Sequence, residues 1–214
     1  MAEKRTTLNN FAYRIVETFG IQAIQLIISI VLARLLIPEN YGVVAIASTI
    51  VTILTSVVQS SFNAPLVQKR DLTKIDLTSS FYVMLAIAGT LYFILFAGAP
   101  TIADVYGMPD LALVIRVLGL VLIIGSWNSI QIALVYRNLK FRASMLINVV
   151  GIIVQGIVGI GMAYKGFGVW SLVSSQITYQ IIIGILYGIY NKWIPGICFS
   201  IQSIKDIWKI GIPL

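Results

Sequence analysis

The sequence predicts an all-α integral membrane protein with six transmembrane helices, and three observations lead to that fold class. Hydrophobic residues make up 58% of the 214 residues and charged residues only 11%, whereas a soluble domain carries about 25% charge. Six uncharged runs of 16 to 29 residues divide the chain, and a spanning helix needs roughly 20 apolar residues. The runs do not alternate apolar with polar residues, as the strands of a membrane barrel do.

The six predicted spans follow these uncharged runs. The first run, Thr18–Ala33, is slightly short, but Arg34 can extend it because its long side chain reaches the membrane interface. We expect the six spans at about residues 15–36, 42–66, 77–99, 112–136, 142–164 and 168–190.

The spans divide the chain into a lobe and a linker. Residues 1–192 form the six-helix lobe, and residues 193–214 form an amphipathic linker on the cytoplasmic surface. Pro213 stands where a seventh helix could begin, so we expect the chain to be part of a longer protein. The longest outer connection is expected at Gly98–Leu111, which contains two prolines and two aspartates.

The orientation follows from the distribution of basic residues, because translocation of basic loops is disfavoured. Twelve of the fifteen Lys and Arg residues lie in the N-terminal segment and in every second connection, which predicts that this side and both termini are cytoplasmic. The net charge of +7 is then a topology signal, and nucleic acid is not an expected partner. The basic side holds Lys4, Arg5, Arg14, Lys69, Arg70, Lys74, Arg137, Lys140, Arg142, Lys192, Lys205 and Lys209, and the other side holds Arg34, Arg116 and Lys165.

The stretch ARLLIPENYG, residues 33–42, predicts a tight outer turn between the first two spans. Arg34 ends one helix, and Pro38 suits the first turn of the next, where a missing N–H costs nothing. Glu39 lies at the positive end of that helix dipole, and we expect it to pair with Arg34. We interpret Arg34, Pro38, Glu39 and Gly42 as a structural turn motif.

Amide side chains recur on single faces of the predicted helices. Gln22 and Gln25 share a face of the first helix, Gln59 and Asn63 share a face of the second, and Gln155 lies in the fifth. An unpaired amide in hydrocarbon costs several kcal/mol, so these residues either bond neighbouring helices together or line a hydrophilic cavity. The sequence leaves both readings open.

Two glycines in the last span, Gly184 and Gly188, form a G-x-x-x-G pattern. This pattern can mediate dimers of membrane helices, but we expect it to pack inside the bundle.

The sequence gives little support for enzyme chemistry. It contains no histidine and one cysteine, Cys198, and the spans carry no cluster of carboxylate, histidine or cysteine residues. Metal ligands and nucleophiles are drawn from these residue types, and the phosphate-cradling pattern G-x-x-x-x-G-K is missing. We therefore predict no catalytic residue, no metal site and no cofactor.

Several motifs give the chain a family resemblance. ARLLIPENYG, with APLVQKRDLT, YGMPDL, YRNLKFR and DIWKIGIPL further on, resembles the polysaccharide-exporter branch of the flippase superfamily that also contains the MATE drug exporters. The resemblance implies two six-helix lobes around a central cavity, with this chain as the N-terminal lobe. It also implies flipping of lipid-linked oligosaccharides, of the O-antigen or teichuronic type, to the outer leaflet of the bacterial inner membrane.

The resemblance also suggests site residues and partners. We expect Gln22, Gln25, Gln59 and Asn63 to contact the glycan, and Arg14 to receive the pyrophosphate of the carrier, because Arg forms bidentate bonds to phosphate. Arg34 and Arg116 are further phosphate candidates or interfacial anchors. The expected partners are the lipid-linked glycan, membrane lipids, a second six-helix lobe, and a polysaccharide polymerase or export partner.

Three alternatives stay open. A cation-coupled multidrug exporter of the same superfamily would usually need a buried carboxylate, which this lobe lacks. An integral membrane glycan enzyme, such as a polymerase, would need a large outer loop with catalytic residues. A purely structural membrane subunit would not need amide-lined helix faces.

Overall fold

The chain is all-helical in the computed structural model, which describes residues 20–60, 62–69 and 71–211 and has no strand in those ranges. The helices in chain order are α1 (Gly20–Leu35), α2 (Pro38–Ser60), α3 (Asn63–Gln68), α4 (Lys74–Tyr106), α5 (Pro109–Leu118), α6 (Leu120–Arg137), α7 (Phe141–Tyr164), α8 (Val169–Asn191) and α9 (Ile201–Gly211).

The predicted all-α membrane fold class is confirmed. Five helical segments are long and apolar enough to cross a membrane: α2, α4, α5 with α6, α7 and α8. The first predicted span corresponds to α1, whose described part is apolar but only 16 residues long. Residues 15–19 of that span lie outside the described residues.

The second predicted span, 42–66, is wrong at both ends. Helix α2 begins earlier, at Pro38, and ends at Ser60, and α3 begins separately at Asn63. Pro65 is the physical reason for the break, because a proline inside a continuous helix removes a hydrogen bond and clashes with the carbonyl four residues earlier. In α3 the same proline occupies the first turn, where no intrahelical N–H is needed.

The expected connection Gly98–Leu111 is also wrong, because α4 continues through it to Tyr106. Only two residues, Gly107 and Met108, separate α4 from α5. Gly107 adopts a left-handed conformation with φ of 64°, a backbone that favours glycine and ends helices.

Helix α4 contains Pro100 and continues past it. The proline has no N–H to give to the carbonyl of Phe96, four residues earlier. Arg116 of α5 supplies the bond instead, since its Nε donates to the Phe96 carbonyl oxygen at 3.3 Å. The guanidinium carbon also lies 4.5 Å from the centroid of the Phe96 ring. Arg116, which the sequence analysis counts with the basic residues of the outer side, is therefore part of the α4–α5 packing.

The α5–α6 span is the centre of the bundle. Half of its most apolar stretch is buried inside the protein, against 17% for α4. It packs against α2, α4 and α8, and α8 also contacts α7. Close approach at α8 requires glycine, because a Cβ on Gly184 would lie 2.5 Å from Oδ1 of Asn128, and one on Gly188 would lie 3.1 Å from the Trp127 ring. The expected packing of the G-x-x-x-G pattern inside the bundle is confirmed.

Two basic connections meet at one end of the bundle, which we name the basic end. Lys69, after α3, forms an ion pair with Asp76 at 2.8 Å, and Arg137, at the end of α6, donates to the Lys69 carbonyl. Helix α9 packs here against α3 and α4, with Ile207 fully buried. The linker is therefore attached to the bundle through a side chain in its core.

The opposite end, which we name the distal end, holds the turn between α1 and α2. Pro38 begins α2 with Glu39 in its first turn, as predicted. Arg34 and Glu39 are both exposed, and the ion pair expected between them does not form among the described residues. A Cβ on Gly42 would meet no atom within 4 Å, so close packing does not require glycine there.

Candidate functional site

Polar side chains from α1, α2, α7 and α8 converge on one groove of about 380 Å³, which we name the polar groove. Half of its lining comes from one face of α2, and α1, α7 and α8 each contribute glutamine. The lining residues are Gln25, Ser48, Val51, Thr52, Thr55, Ser56, Gln59, Val121, Gln155, Gln176, Tyr179 and Gln180.

The polar groove extends from the middle of the bundle toward the basic end. An α-helix rises 1.5 Å per residue. On α2, Ser48 therefore lies about 15 Å from the distal start of the helix at Pro38, and Gln59 about 31 Å from it. The hydrocarbon core of a bilayer is about 30 Å thick. The polar side chains of α2 thus lie along the half of this apolar span that is nearer the basic end.

Hydroxyl groups of α2 give the groove hydrogen-bond acceptors. Ser48 donates to the carbonyl of Ala45 at 3.2 Å, and Ser56 donates to that of Thr52 at 2.9 Å. Because each hydroxyl has one proton, a hydroxyl bound to its own helix has only lone pairs left for a ligand. The donors of the groove are therefore mainly its amide N–H groups.

Two groove side chains on α8 are held by asparagines of the neighbouring helices α7 and α6. Tyr179 donates its hydroxyl to Oδ1 of Asn148 at 3.1 Å, and Gln180 accepts from Nδ2 of Asn128 at 2.9 Å. The Trp127 indole N–H donates to the carbonyl of Gly184 at 2.9 Å, which ties α6 to α8. These bonds fix the wall of the groove where α6, α7 and α8 meet.

A second, smaller cavity of about 210 Å³ lies on the distal side of the groove, and we name it the distal recess. It shares Gln25, Gln155 and Gln176 with the polar groove, so the two spaces meet at these amides. The distal recess is lined by Gln25, Ile28, Ser29, Leu32, Tyr41, Gln155, Leu172, Ser175 and Gln176. No charged side chain lines either space within the part of the chain that the structure describes.

Only some of the residues predicted to contact the glycan line the polar groove. Gln25 and Gln59 line the polar groove, which favours the cavity reading over bonding between helices. Gln22 is exposed on α1 and lines neither space. Asn63 begins α3, so it does not continue the polar face of α2, and its side chain lies outside the described residues. Arg14 also lies outside them.

The two other arginines proposed for phosphate lie away from the groove. Arg34 is exposed at the distal end of α1, and Arg116 is bonded to the Phe96 carbonyl.

Sequence reasoning missed the contribution of α8. Gln176 and Gln180 are four residues apart, and residues at this spacing share a helix face. That spacing was the available signal. The serines and threonine of α8 at positions 171, 174 and 178 have the same kind of spacing, and they line neither space.

Apolar spanning helices packed around an uncharged polar groove define a multi-pass membrane protein. A family model described as "Polysaccharide biosynthesis protein" matches residues 31–214. The chain therefore belongs to this polysaccharide biosynthesis family.

Curated relatives share low identity with the chain over most of its length. The "Succinoglycan biosynthesis transport protein ExoT" of Rhizobium meliloti is 25% identical over 209 residues, which cover 97% of this chain and 42% of the relative. The "Teichuronic acid biosynthesis protein TuaB" of Bacillus subtilis is 25% identical over 158 residues, covering 72% and 32%. The "Lipopolysaccharide biosynthesis protein WzxC" of Escherichia coli is 20% identical over 217 residues, covering 99% and 43%.

The chain spans less than half the length of each of these three relatives. No solved structure matches it.

Proposed function

We propose that this chain is one half of a membrane transporter that moves a lipid-linked polysaccharide precursor from the cytoplasmic to the outer leaflet of a bacterial inner membrane. The polar groove forms this half's wall of the translocation route. The basic end faces the cytoplasm, in keeping with the rule that basic connections stay inside.

The polar groove is the observation that carries the proposal. Unpaired polar groups are costly in hydrocarbon, so a groove of amides and hydroxyls in apolar spans needs water or a polar ligand. The amides donate and accept hydrogen bonds, and the hydroxyls accept them, which suits the hydroxyl groups of a glycan. The absence of charge from the described lining also suits an uncharged saccharide chain.

The relatives support the same substrate class. Their names refer to succinoglycan, teichuronic acid and lipopolysaccharide, which are different glycan products. A shared role in moving glycan precursors accounts for this variety better than a role in making one particular bond. Because the relatives are more than twice as long as the matched segment, we propose that a second lobe supplies the opposite wall.

The proposed activity is transport without catalysis. Within the described residues, Tyr179 is the titratable side chain in the polar groove, and no group of three or more His, Cys, Asp and Glu residues could hold a metal ion. The lining therefore favours binding by hydrogen bonds. Arg14 remains a prediction for the pyrophosphate of the carrier lipid, and a polymerase or export protein remains a predicted partner.

A test of the proposal is to block the groove in the full-length protein. Ser56→Phe places a ring in the groove, whereas Ile53→Phe places the same ring on an exposed, apolar part of α2. We expect a strain whose only copy of the protein carries Ser56→Phe to lose surface polysaccharide and accumulate lipid-linked precursor. A strain that carries Ile53→Phe instead should behave as wild type. Immunoblots of membranes must show equal amounts of both variants. Normal export by the Ser56→Phe protein would overturn the groove as the route, and drug sensitivity without a glycan defect would favour a multidrug exporter.

The groove must also be wet, and this can be measured separately. In a full-length protein whose native cysteines are replaced, we expect Ser56→Cys to react with a water-soluble maleimide. Ile53→Cys should not react, because its side chain faces hydrocarbon and the thiolate does not form there. Equal reactivity at the two positions would mean that α2 does not separate water from lipid.

A further inference from the structure

The distal recess is lined by both polar and apolar side chains. It holds about 210 Å³, and its walls combine three glutamines and two serines with apolar side chains and the aromatic residue Tyr41. Binding pockets characteristically mix apolar walls with a few placed polar groups. Its size suits a ligand smaller than the drug-sized molecules that fill pockets of about 300–1,000 Å³.

Three amides stand at the junction of the distal recess and the polar groove. Gln25, Gln155 and Gln176 come from three different helices and line both spaces. Counted from the distal helix ends at 1.5 Å per residue, they lie about 15, 14 and 10 Å deep. All three therefore stand within the outer half to the middle of a hydrocarbon core about 30 Å thick.

None of these three amides has a hydrogen-bond partner within the described residues. This distinguishes them from Gln180, which is bonded to Asn128. Each amide has two donor hydrogens and an acceptor oxygen, and leaving such groups unpaired in hydrocarbon is costly. The cluster therefore requires water or a ligand rich in hydrogen-bonding groups.

Tyr41 adds a second, independent observation. Its hydroxyl is buried and has no hydrogen-bond partner in the described part of the chain. Such groups are uncommon in folded proteins because a buried unsatisfied hydroxyl costs free energy. Tyrosine also offers an aromatic surface with a polar tip, which matches a ligand that has both a hydroxylated rim and apolar C–H faces.

We propose that the distal recess binds one uncharged sugar ring of the translocated glycan. The amides of Gln25, Gln155 and Gln176 bond its hydroxyl groups, and Tyr41 with the apolar walls packs against its C–H face. This inference rests on the proposed function, and it adds a specific subsite in the outer half of the route. The proposal specifies an uncharged sugar, because the recess has no basic or acidic side chain among the described residues to pair with a charged one.

The test uses purified full-length protein with a single reporter cysteine. Ser29→Cys places a thiol in the distal recess with almost no change in volume. The probes are free glucose, galactose and mannose, with glucuronate as the charged comparison and sorbitol as the open-chain comparison. We expect at least one neutral hexose to slow the reaction of the thiol with a water-soluble maleimide, and glucuronate and sorbitol to leave the rate unchanged.

Matched substitutions test whether protection of the thiol by sugar depends on the amide side chains. Gln176→Leu removes one amide from the recess, and it should weaken protection between about twofold and tenfold, as expected for one neutral hydrogen bond. Gln68→Leu makes the same chemical change at an exposed position of α3 that lines neither space. It should leave protection unchanged.

The outcomes separate this proposal from the transport proposal. Absence of protection by every hexose would overturn the sugar subsite, and so would a reporter cysteine that is already inaccessible without sugar, which would mean that other parts of the protein fill the recess. If Gln176→Leu leaves protection unchanged while Ser56→Phe still blocks export, the subsite falls and the transport function stands. If deleting the gene leaves surface polysaccharide intact, the transport function falls, whatever the labelling shows.

Discussion

The contact between Arg116 and the proline-interrupted helix α4 allows a quantitative prediction. Pro100 leaves the Phe96 carbonyl without its helical donor, and the Arg116 Nε donates to it at 3.3 Å. A hydrogen bond to a charged group contributes about 1.5–3 kcal/mol, and the long distance places this one at about 1.5 kcal/mol. The guanidinium lies 4.5 Å from the centroid of the Phe96 ring, and a cation–π contact of this exposed kind adds about 0.5–1 kcal/mol.

Arg116→Ala should therefore lower the free energy of unfolding by about 2–2.5 kcal/mol. In a Pro100→Ala background the new backbone N–H can bond the Phe96 carbonyl, so the same substitution should cost only the ring contact, about 0.5–1 kcal/mol. The difference of about 1.5 kcal/mol is the coupling energy in a double-mutant cycle.

Unfolding of the full-length protein in mixed micelles with increasing SDS would measure the four free energies of the cycle. The prediction concerns the coupling, so changes that Pro100→Ala causes by itself cancel. An equal loss on Arg116→Ala in both backgrounds would refute the reasoning, because the arginine would then not replace the bond that the proline removes.

Two further predictions concern close packing and the basic end. Gly184→Ala should lower the free energy of unfolding by about 1–3 kcal/mol, because the new Cβ would lie 2.5 Å from Oδ1 of Asn128. Gly161→Ala, whose Cβ meets no atom within 4 Å, should be neutral or slightly stabilising; a loss at both positions would point to a general intolerance of the helices. Asp76→Asn should also cost stability, by about 1–3 kcal/mol, because it breaks a nearly buried ion pair and replaces the charged acceptor of a capping box by a neutral one. Asp71→Asn at an exposed position should have little effect on the melting temperature, and equal shifts would contradict a special role for the buried carboxylate.

The spans could be predicted from the sequence because hydropathy is a local property. A run without charges is long enough to cross the membrane or it is not, whatever its neighbours do. This reasoning placed α7 and α8 within one residue of their observed ends. It failed at two prolines, whose effect on a helix the hydropathy pattern does not describe. Pro65 ended a span early, whereas Pro100 did not end one because Arg116 compensates for it.

The candidate site could be predicted only in part. The amide periodicity singled out Gln25 and Gln59, which line the polar groove, and it included Gln22, which lines neither space. It missed Gln176 of α8, whose position becomes informative only when it is seen beside Gln25 and Gln155 of two other helices.

The sequence by itself determined that this chain is helical, crosses a membrane and carries most of its basic residues in every second connection. The tertiary structure decided which polar side chains share a groove and which of them remain without partners. The physical reason is that lipid is as apolar as the protein interior. An apolar stripe, which marks the inward face of a helix in a soluble protein, therefore carries no such information here, and the inward faces are fixed only when the helices pack.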